Sequence, residues 1–243
     1  MNLFRLFKSV TLIDELIPLD EQLSFDKDLS RHLPLDGFIV RFWTNEGVIL
    51  GKMDSLLPQF EKGLKYFEDH KMTTLIRKAG GLAVVCDKGI LNLSILFSKD
   101  HPVVGGLDES YDFGVALLRH CLQDYHLPID EGEIIHSYCP GKYDLSVRGK
   151  KFAGMAQYRS KDVVMVMITI CVSGNQSNRC ELIKDFYTVA NPLKDPKYPE
   201  IHNDSMRTLS DITNKPITVM SLKDTMSLVL RKSGIIVKSK KQM

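Results

Sequence analysis

The longest uncharged apolar stretch in the chain runs from Val163 to Val172 (VVMVMITICV). It has about half of the ~20 residues that a membrane-spanning helix needs, so we expect no membrane segment here. Its β-branched residues favour a strand, and a strand without alternating polar residues is usually buried on both faces. The stretch therefore predicts the central strand of a sheet that is covered on both sides.

Other segments predict the elements around that strand. Ile90 to Phe97 (ILNLSILF) alternates, which places the small polar Asn92 and Ser94 together on one face. Composition and turn residues predict further strands at 38–43 and 48–50, paired through a turn at 45–47, and at 73–77, 82–85 and 134–138. The spacing of apolar residues predicts helices at 57–70, 112–125, 179–189, 205–212 and 222–232.

The last predicted helix has Ser221 and Asp224 in a capping-box pattern and Gly234 as its stop. A chain of 243 residues is long enough to bury one sizeable core. No repeat or linker divides it. We therefore expect one α+β domain over residues 1–243, with a mixed β-sheet flanked by helices.

Charge and cysteine content narrow the class of protein. A net charge of +2 gives no reason to expect a nucleic-acid partner, and the basic residues 238–241 (KSKK) are typical of a solvated tail. Five cysteines without paired spacing indicate reduced thiols in the cytoplasm. His136 and Cys139 are three residues apart, but no second pair at ligand spacing accompanies them, so we expect no metal site. We also expect a monomer.

Cys139 is the residue best suited to covalent chemistry. It directly precedes Pro140 and Gly141, which predict a tight, exposed turn. Because a free thiol is mostly protonated at neutral pH, a nucleophilic cysteine needs a nearby cation. A dyad with His136 is an alternative, although no acidic or amide residue stands out to orient the ring. The remaining cysteines lie in apolar strands or on helices, where thiols are small buried hydrophobic groups: Cys86, Cys121, Cys171 and Cys180.

Lys151 is the candidate cation. An alternating segment with Tyr143 on its apolar face leads from the cysteine turn towards it, and the small residues Ala153 and Gly154 follow it. Small side chains let a ligand approach the backbone, although Lys151 is also compatible with an ordinary surface lysine. The pair Gly80-Gly81 has two interpretations as well: a bulge within a strand, or a floor without side chains on which a ligand lies.

Two stretches resemble the biotin/lipoate A/B protein ligase superfamily. Arg77 to Ser94 (RKAGGLAVVCDKGILNLS) is similar to the family's first block. His136 to Arg159 (HSYCPGKYDLSVRGKKFAGMAQYR) resembles the octanoyltransferase branch that draws on the glycine cleavage H protein (GcvH). Two long motifs in the family's order are far less accidental than one short glycine pattern. The resemblance covers roughly residues 25 to 232.

The resemblance implies the fold shared by lipoate protein ligase catalytic domains, biotin synthetases and class II aminoacyl-tRNA synthetases. It implies Cys139 as the nucleophile that carries an acyl-thioester. Lys151, rather than Lys150, matches the family's acyl-contacting lysine, which would stabilise the charge on the acyl carbonyl oxygen. The implied acyl-binding residues are Arg77, Gly80, Gly81, Tyr143 and Gly154. No cofactor is implied.

The resemblance also implies substrates. The donor would be octanoyl-GcvH, and the acceptors would be the E2 lipoyl domains of 2-oxoacid dehydrogenases. Three alternatives stay open: an ATP-dependent lipoate or octanoate ligase, the sister octanoyltransferase that uses acyl carrier protein, and a non-catalytic module that binds lipoyl domains. Ala79 replaces the family's usual serine, and Cys86 stands where ligases typically carry histidine. Both differences weigh against the ligase.

Overall fold

The computed structural model describes residues 6–101, 104–233 and 236–240. The strands are β1 (Ser9–Asp14), β2 (Gly37–Trp43), β3 (Gly47–Leu50), β4 (Thr74–Ile76), β5 (Val84–Cys86), β6 (Ile90–Ser98), β7 (Ile129–Glu131), β8 (Leu145–Val147), β9 (Lys150–Arg159), β10 (Val163–Cys171) and β11 (Ile236–Lys240). The helices are α1 (Gln22–Ser30), α2 (Phe60–Asp69), α3 (Leu107–Cys121), α4 (Gln176–Ala190), α5 (Leu209–Thr213) and α6 (Val219–Lys232).

Eight strands form a mixed sheet in the order β11-β1-β2-β6-β10-β9-β8-β7. β1 runs parallel to both of its neighbours, and the other pairs in this sheet are antiparallel. β10 lies between β6 and β9 near the middle of the sheet, which confirms the prediction of a central strand. A separate three-stranded sheet has the order β4-β3-β5. The predicted mixed sheet flanked by helices is therefore confirmed.

One face of the large sheet carries the main hydrophobic core. The alternation of β6 turns Leu91, Leu93, Ile95 and Phe97 towards α3 and α6. Burial of this apolar surface is the main driving force for the fold. The small sheet packs separately, against α2 and α4.

The opposite face of the large sheet is partly polar, and its side chains form rows across the strands. The first row, in register on β2, β6, β10 and β9, consists of Trp43, Asn92, Thr169 and Gly154. The second row consists of Arg41, Ser94, Met167 and Ala156. In the third row, Ile39, Leu96 and Met165 pack under Leu29 of α1. The helix α1 therefore lies over the third row and over Arg41 and Ser94 of the second row, and the first row lies beside the small sheet.

The prediction that β2 and β3 pair is wrong. β2 pairs with β1 and β6, whereas β3 pairs with β4 and β5 in the small sheet. Residues 45–47 thus connect two sheets instead of closing a hairpin. Local turn residues predict a reversal, but the partners of each strand depend on contacts that are distant in sequence.

The predicted strand at 134–138 is also absent from the described structure. The backbone N–H groups of Ile134 and Gly141 both donate to the Asp144 carboxylate, at 3.5 and 3.0 Å. A side chain therefore takes up backbone donors in this loop that a strand would pair with a neighbouring strand.

The start of the last helix differs from the prediction. Thr218 and Ser221 form the capping box of α6, instead of Ser221 and Asp224, because the helix begins one turn earlier, at Val219. The predicted stop at Gly234 lies outside the described residues. Among the residues that are described, no helix has both the length and the apolar character that crossing a membrane requires.

Candidate active site

Cys139 is the partly accessible thiol among the five cysteines, and the other four are buried. Burial raises the pKa of the Cys86, Cys121 and Cys180 thiols to about 12, and it also raises the pKa of Cys171. Those four thiols are therefore poor nucleophiles at neutral pH. Cys139 lies in a turn with φ of +47°, a backbone conformation that few residues other than glycine adopt. The predicted placement of the five cysteines is confirmed.

The Cys139 sulfur has two polar neighbours. The backbone N–H of Leu82 donates to Sγ at 3.1 Å, and Arg77 Nη2 lies 3.7 Å from the same atom. A hydrogen-bond donor and a cation beside the sulfur are groups that can stabilise negative charge that develops there during a reaction. The cation that the structure records at the sulfur is thus Arg77, whereas the sequence had suggested Lys151 for this contact.

The loop from Arg77 to Leu82 is folded around the arginine itself. Arg77 Nε donates to the Gly80 carbonyl at 3.0 Å, and Nη2 donates to the Leu82 carbonyl at 2.9 Å. Gly81 has φ of +92°, and a Cβ atom there would lie 2.5 Å from Arg77 Nη2 and 3.0 Å from Cys139 Sγ. Glycine at 81 therefore lets the guanidinium and the sulfur meet. A Cβ atom on Gly80 would contact nothing within 4 Å, so Gly80 faces open space.

Lys151 is buried, and its ammonium group has three acceptors. Nζ donates to the carbonyls of Tyr138 and Cys139 at 3.1 and 2.6 Å, and it forms an ion pair with Asp144 Oδ1 at 2.9 Å. An ammonium group has three N–H donors, so these acceptors use all of them. In this structure Lys151 therefore fixes the backbone of the cysteine turn.

Asp144 completes this arrangement and was missed as a site residue. One carboxylate oxygen binds Lys151, and the other accepts from Gly141 N at 3.0 Å and Ile134 N at 3.5 Å. Burial raises the pKa of Asp144, and the charge of Lys151 opposes that rise. The residue stands in the quoted motif directly after Tyr143, so the sequence offered a signal for it.

A narrow cavity of about 60 Å³ begins beside the cysteine turn. Its lining near the turn includes Arg77, Tyr138, Cys139, Lys151 and Gly154. A Cβ atom on Gly154 would lie 3.1 Å from Lys151 Cε, so the glycine leaves room next to the lysine. The cavity floor is made by the first row, together with Met167 and Ala156 of the second. Apolar side chains of the small sheet also line it: Ile49, Leu75 and Val84.

Tyr143 lies away from this cavity lining. Its ring stacks on Tyr111, with centroids 4.4 Å apart, and its hydroxyl donates to Asp108. The structure therefore places Tyr143 with the core on the α3 side of the sheet, as the predicted alternation with Leu145 requires.

His136 stacks on His202 with ring centroids 3.9 Å apart, and its Nδ1 lies 3.1 Å from the Glu200 carbonyl. Neither contact orients it as a base for Cys139.

A buried polar chain supports the loop that carries Leu82. Asp54 accepts hydrogen bonds from the Tyr187 hydroxyl and from Gly51 N, both at 2.7 Å, and the Tyr187 oxygen accepts from Ala83 N at 3.4 Å. Burial raises the pKa of Asp54 to about 6. These residues were missed because their partners are backbone groups and a tyrosine more than a hundred residues away.

Among the residues that the structure describes, no group of three or more His, Cys, Asp or Glu side chains is placed to hold a metal ion. The arrangement at Cys139 instead combines a partly accessible thiol, an N–H donor and a cation at the end of an apolar cavity. These groups suit nucleophilic attack on an acyl group and stabilisation of the negative charge that develops.

The chain is similar in sequence to two curated transferases. An octanoyl-[GcvH]:protein N-octanoyltransferase from Exiguobacterium sibiricum is 37% identical over 204 residues, which is 82% of this chain and 73% of that protein. A lipoyl-[GcvH]:protein N-lipoyltransferase from Listeria monocytogenes is 38% identical over 74% of this chain and 66% of that protein.

Solved structures share the fold at low sequence identity. Lipoate-protein ligase A bound with ATP superimposes with a TM-score of 0.73 at 17% identity, over 98% of this chain and 90% of that one. The bi-partite lipoate protein ligase from Thermoplasma acidophilum gives 0.67 at 16% identity, over 97% and 88%. The family model of the lipoyl protein ligase A/B catalytic domain matches residues 18–231. The chain therefore belongs to the lipoyl protein ligase A/B catalytic domain family.

Proposed function

We propose that this protein is an amidotransferase that moves an octanoyl or lipoyl group from the lysine of GcvH to the lysine of an E2 lipoyl domain. Residues 1–243 would act as a single catalytic domain, as a monomer in the cytoplasm. The observation that carries the proposal is the contact of the Cys139 sulfur with Leu82 N–H and Arg77 at the end of the cavity. The names of the two curated relatives support the chemistry and the GcvH partner.

The reaction proceeds in two acyl transfers. The Cys139 thiolate attacks the carbonyl carbon of the acyl amide on the donor lysine. The C–N bond breaks, the donor lysine leaves as an amine with the proton that the thiol gave up, and a thioester forms. The lysine amine of the acceptor domain then attacks the thioester carbonyl. The C–S bond breaks, the new amide forms, and the proton lost by the amine returns to the thiolate.

The groups around Cys139 have two different roles. Leu82 N–H and Arg77 are close to the sulfur, so they are the candidates to stabilise negative charge on the attacking thiolate and on the adjacent acyl oxygen. Lys151 and Asp144 hold the backbone of the turn. The family resemblance implies that this lysine contacts the acyl oxygen. Lys151 Nζ can make that contact if it gives up its hydrogen bond to one of the two backbone carbonyls.

The narrow cavity protects the intermediate. A thioester is less stable than the amide from which it forms, so water must be kept away from it. Ile49, Leu75 and Val84 supply an apolar wall around the acyl chain, and exclusion of water from a closed site limits hydrolysis of a reactive intermediate. The overall change converts one lysine amide into another, so we expect the transfer to need no nucleotide and to run in both directions.

The test is transfer from octanoyl-GcvH to an E2 lipoyl domain without ATP and magnesium, followed by the reverse pairing. We expect transfer in both directions. Intact mass of the enzyme with donor alone should show the gain of one octanoyl group, lost on treatment with hydroxylamine. Strict dependence on ATP, or activity with free octanoate and none with octanoyl-GcvH, would overturn the proposal in favour of the ligase.

A further inference from the structure

The loop of residues 77–83, which carries Arg77 and Leu82, is built around the end of one strand. β3 is the middle strand of the small sheet, parallel to β4 and antiparallel to β5. The loop connects the end of β4 to the start of β5, and both of these therefore lie beside the end of β3. The segment that leaves β3, residues 51–54, thus emerges between the two ends of the loop.

Two backbone contacts join the end of β3 to this loop. The Leu50 carbonyl accepts a hydrogen bond from Arg77 N–H at 2.9 Å. Gly51 lies directly against the loop, because a Cβ atom at residue 51 would be 1.8 Å from the Gly81 carbonyl oxygen. The position of Gly51 therefore determines where the middle of the loop can lie.

A third contact is made by two buried side chains. The Tyr187 hydroxyl of α4 donates to Asp54 at 2.7 Å, and its oxygen accepts from Ala83 N–H, next to Leu82, at 3.4 Å. Burial raises the pKa of Tyr187 well above its usual value, so the hydroxyl keeps its proton and remains a donor. Asp54 also accepts from Gly51 N–H at 2.7 Å. One carboxylate is thus connected both to Gly51 and, through Tyr187, to the end of the loop.

We propose that Asp54 and Tyr187 are positioning residues for acyl transfer. They act by holding Leu82 N–H and Arg77 beside the Cys139 sulfur, at 3.1 and 3.7 Å. Neither Asp54 nor Tyr187 lines the cavity, so each acts through the loop and not on the acyl group. Donors that stabilise developing charge are effective because they are already in place, and a displacement of about 1 Å can lower a rate by ~100-fold.

This inference rests on the proposed acyl transfer, so a kinetic measurement is paired with one that needs no substrate. The first variant is Tyr187→Phe, which removes the hydroxyl and keeps the ring. Acyl gain from octanoyl-GcvH is followed by intact mass in single turnover, and rates are expressed per folded molecule from urea unfolding curves. We expect the maximal rate to fall at least about tenfold. The donor concentration for half-maximal rate should change less than about twofold, because the contacts with the donor are unaltered.

The matched control is Tyr198→Phe. The Tyr198 ring lies beside Tyr187, with centroids 5.6 Å apart, but its hydroxyl donates to the Met53 carbonyl at 2.8 Å and not to the loop. This variant should keep the wild-type rate. Asp54→Ala should lose rate as Tyr187→Phe does, and Asp54→Asn, which keeps an acceptor for the Tyr187 hydroxyl, should recover most of the loss.

Hydrogen exchange at the Leu82 amide, read by NMR, is the measurement without substrate. We expect exchange at Leu82 to be at least about tenfold faster in Tyr187→Phe than in the wild type. In Tyr198→Phe it should be unchanged.

The outcomes separate the positioning role from the proposed function. An unchanged loading rate per folded molecule in Tyr187→Phe would overturn the positioning role, even if the variant is less stable, and would leave the proposed function standing. A lower rate without faster exchange at Leu82 would also overturn it, because the loop would not be the route of the effect. A wild type that gains no octanoyl group would overturn the proposed function, and the role of Asp54 and Tyr187 in acyl transfer with it.

Discussion

Two buried ion pairs stand at opposite ends of the cavity. At the cysteine end, Lys151 and Asp144 are 2.9 Å apart, with side chains 3% and 2% exposed. At the far end, Arg41 and Asp26 are 2.7 Å apart, with side chains 0% and 7% exposed. The two pairs are thus alike in distance and burial, but they differ in what surrounds them.

The lysine pair has a complete set of hydrogen bonds, all within one segment of the chain. Its partners are backbone groups of residues 134–141, so the pair fixes a turn. The arginine pair joins α1 to β2 and fixes a helix instead, and Arg41 Nε has no hydrogen-bond partner among the described residues. Burial favours the neutral form of both groups, because it raises the pKa of Asp26 and lowers the pKa of Arg41. The charge of each group opposes this effect on the other. The comparison teaches that similar buried pairs can hold different parts of a fold: one fixes the turn that carries Cys139, and the other fixes α1 against β2.

The largest effect should come from the thiol beside the lysine pair. Cys139→Ala should abolish both acyl gain and transfer, because no other accessible thiol can carry the acyl group. The fold should survive, since a partly exposed turn thiol contributes little packing. The control, Cys121→Ala, should keep transfer and lose stability instead, because it truncates a buried side chain. Near-normal transfer by Cys139→Ala would contradict the covalent mechanism.

The next prediction compares the two pairs directly. Lys151→Ala and Arg41→Ala each leave a buried carboxylate without its cation, so each should lower the free energy of unfolding by ~3–5 kcal/mol. They should differ in catalysis. Lys151→Ala should also lower the octanoyl transfer rate of the folded protein by about a hundredfold or more, because the turn and the oxyanion both lose support. Arg41→Ala should lower it much less.

Rates per folded molecule and urea unfolding curves provide the measurements. Lys150→Ala is the matched lysine control, because its ion pair with Asp204 lies at the surface, where such a pair contributes only ~0–1 kcal/mol. Equal, small effects of Lys150→Ala and Lys151→Ala on transfer would mean that Lys151 is not part of the site. Equal rate losses in Lys151→Ala and Arg41→Ala would mean that the two ion pairs at the ends of the cavity do not differ in their effect on catalysis.

The sequence predicts the parts of this molecule that depend on local pattern. The apolar run at β10, the alternation of β6 and the spacing in α2 are visible in single segments. Cys139 stands out because a turn follows it directly. These signals are strong because burial imposes a period of two on strands and of 3.6 on helices.

What the sequence does not predict depends on partners that are distant in the chain. The separation of β2 and β3 into two sheets is one example. The hydrogen bond from Leu82 N–H to the Cys139 sulfur is another example, because a backbone donor does not depend on the residue type. Arg77 was named as an acyl-binding residue, but its contact with the sulfur requires Gly81 to have a positive φ, and this becomes visible only in three dimensions.

The smallest effect concerns a third buried carboxylate, Asp54, whose hydrogen-bond donors, Tyr187 and Gly51, are neutral. Burial raises its pKa from 3.8 to about 6, so the folded protein binds this proton more tightly than the unfolded chain does. The resulting stabilisation is complete below pH 3.8 and is lost as the pH rises through about 6. A rise of about two pKa units corresponds to a loss on the order of 3 kcal/mol.

Asp54→Asn isolates this contribution, because the amide keeps the bond from Tyr187 and cannot ionise. Urea unfolding of both proteins from about pH 4 to about pH 8 should show the wild type losing stability relative to the variant as pH rises, with most of the change between about pH 4 and about pH 6 and little change above that. The loss of the hydrogen bond from Gly51 lowers the variant's free energy of unfolding by the same amount at every pH. It therefore changes the size of the difference between the two proteins but not how that difference depends on pH. Parallel pH profiles would mean that Asp54 is as easily ionised in the folded protein as in the unfolded chain. In that case two neutral hydrogen-bond donors would offset the burial of the Asp54 charge completely.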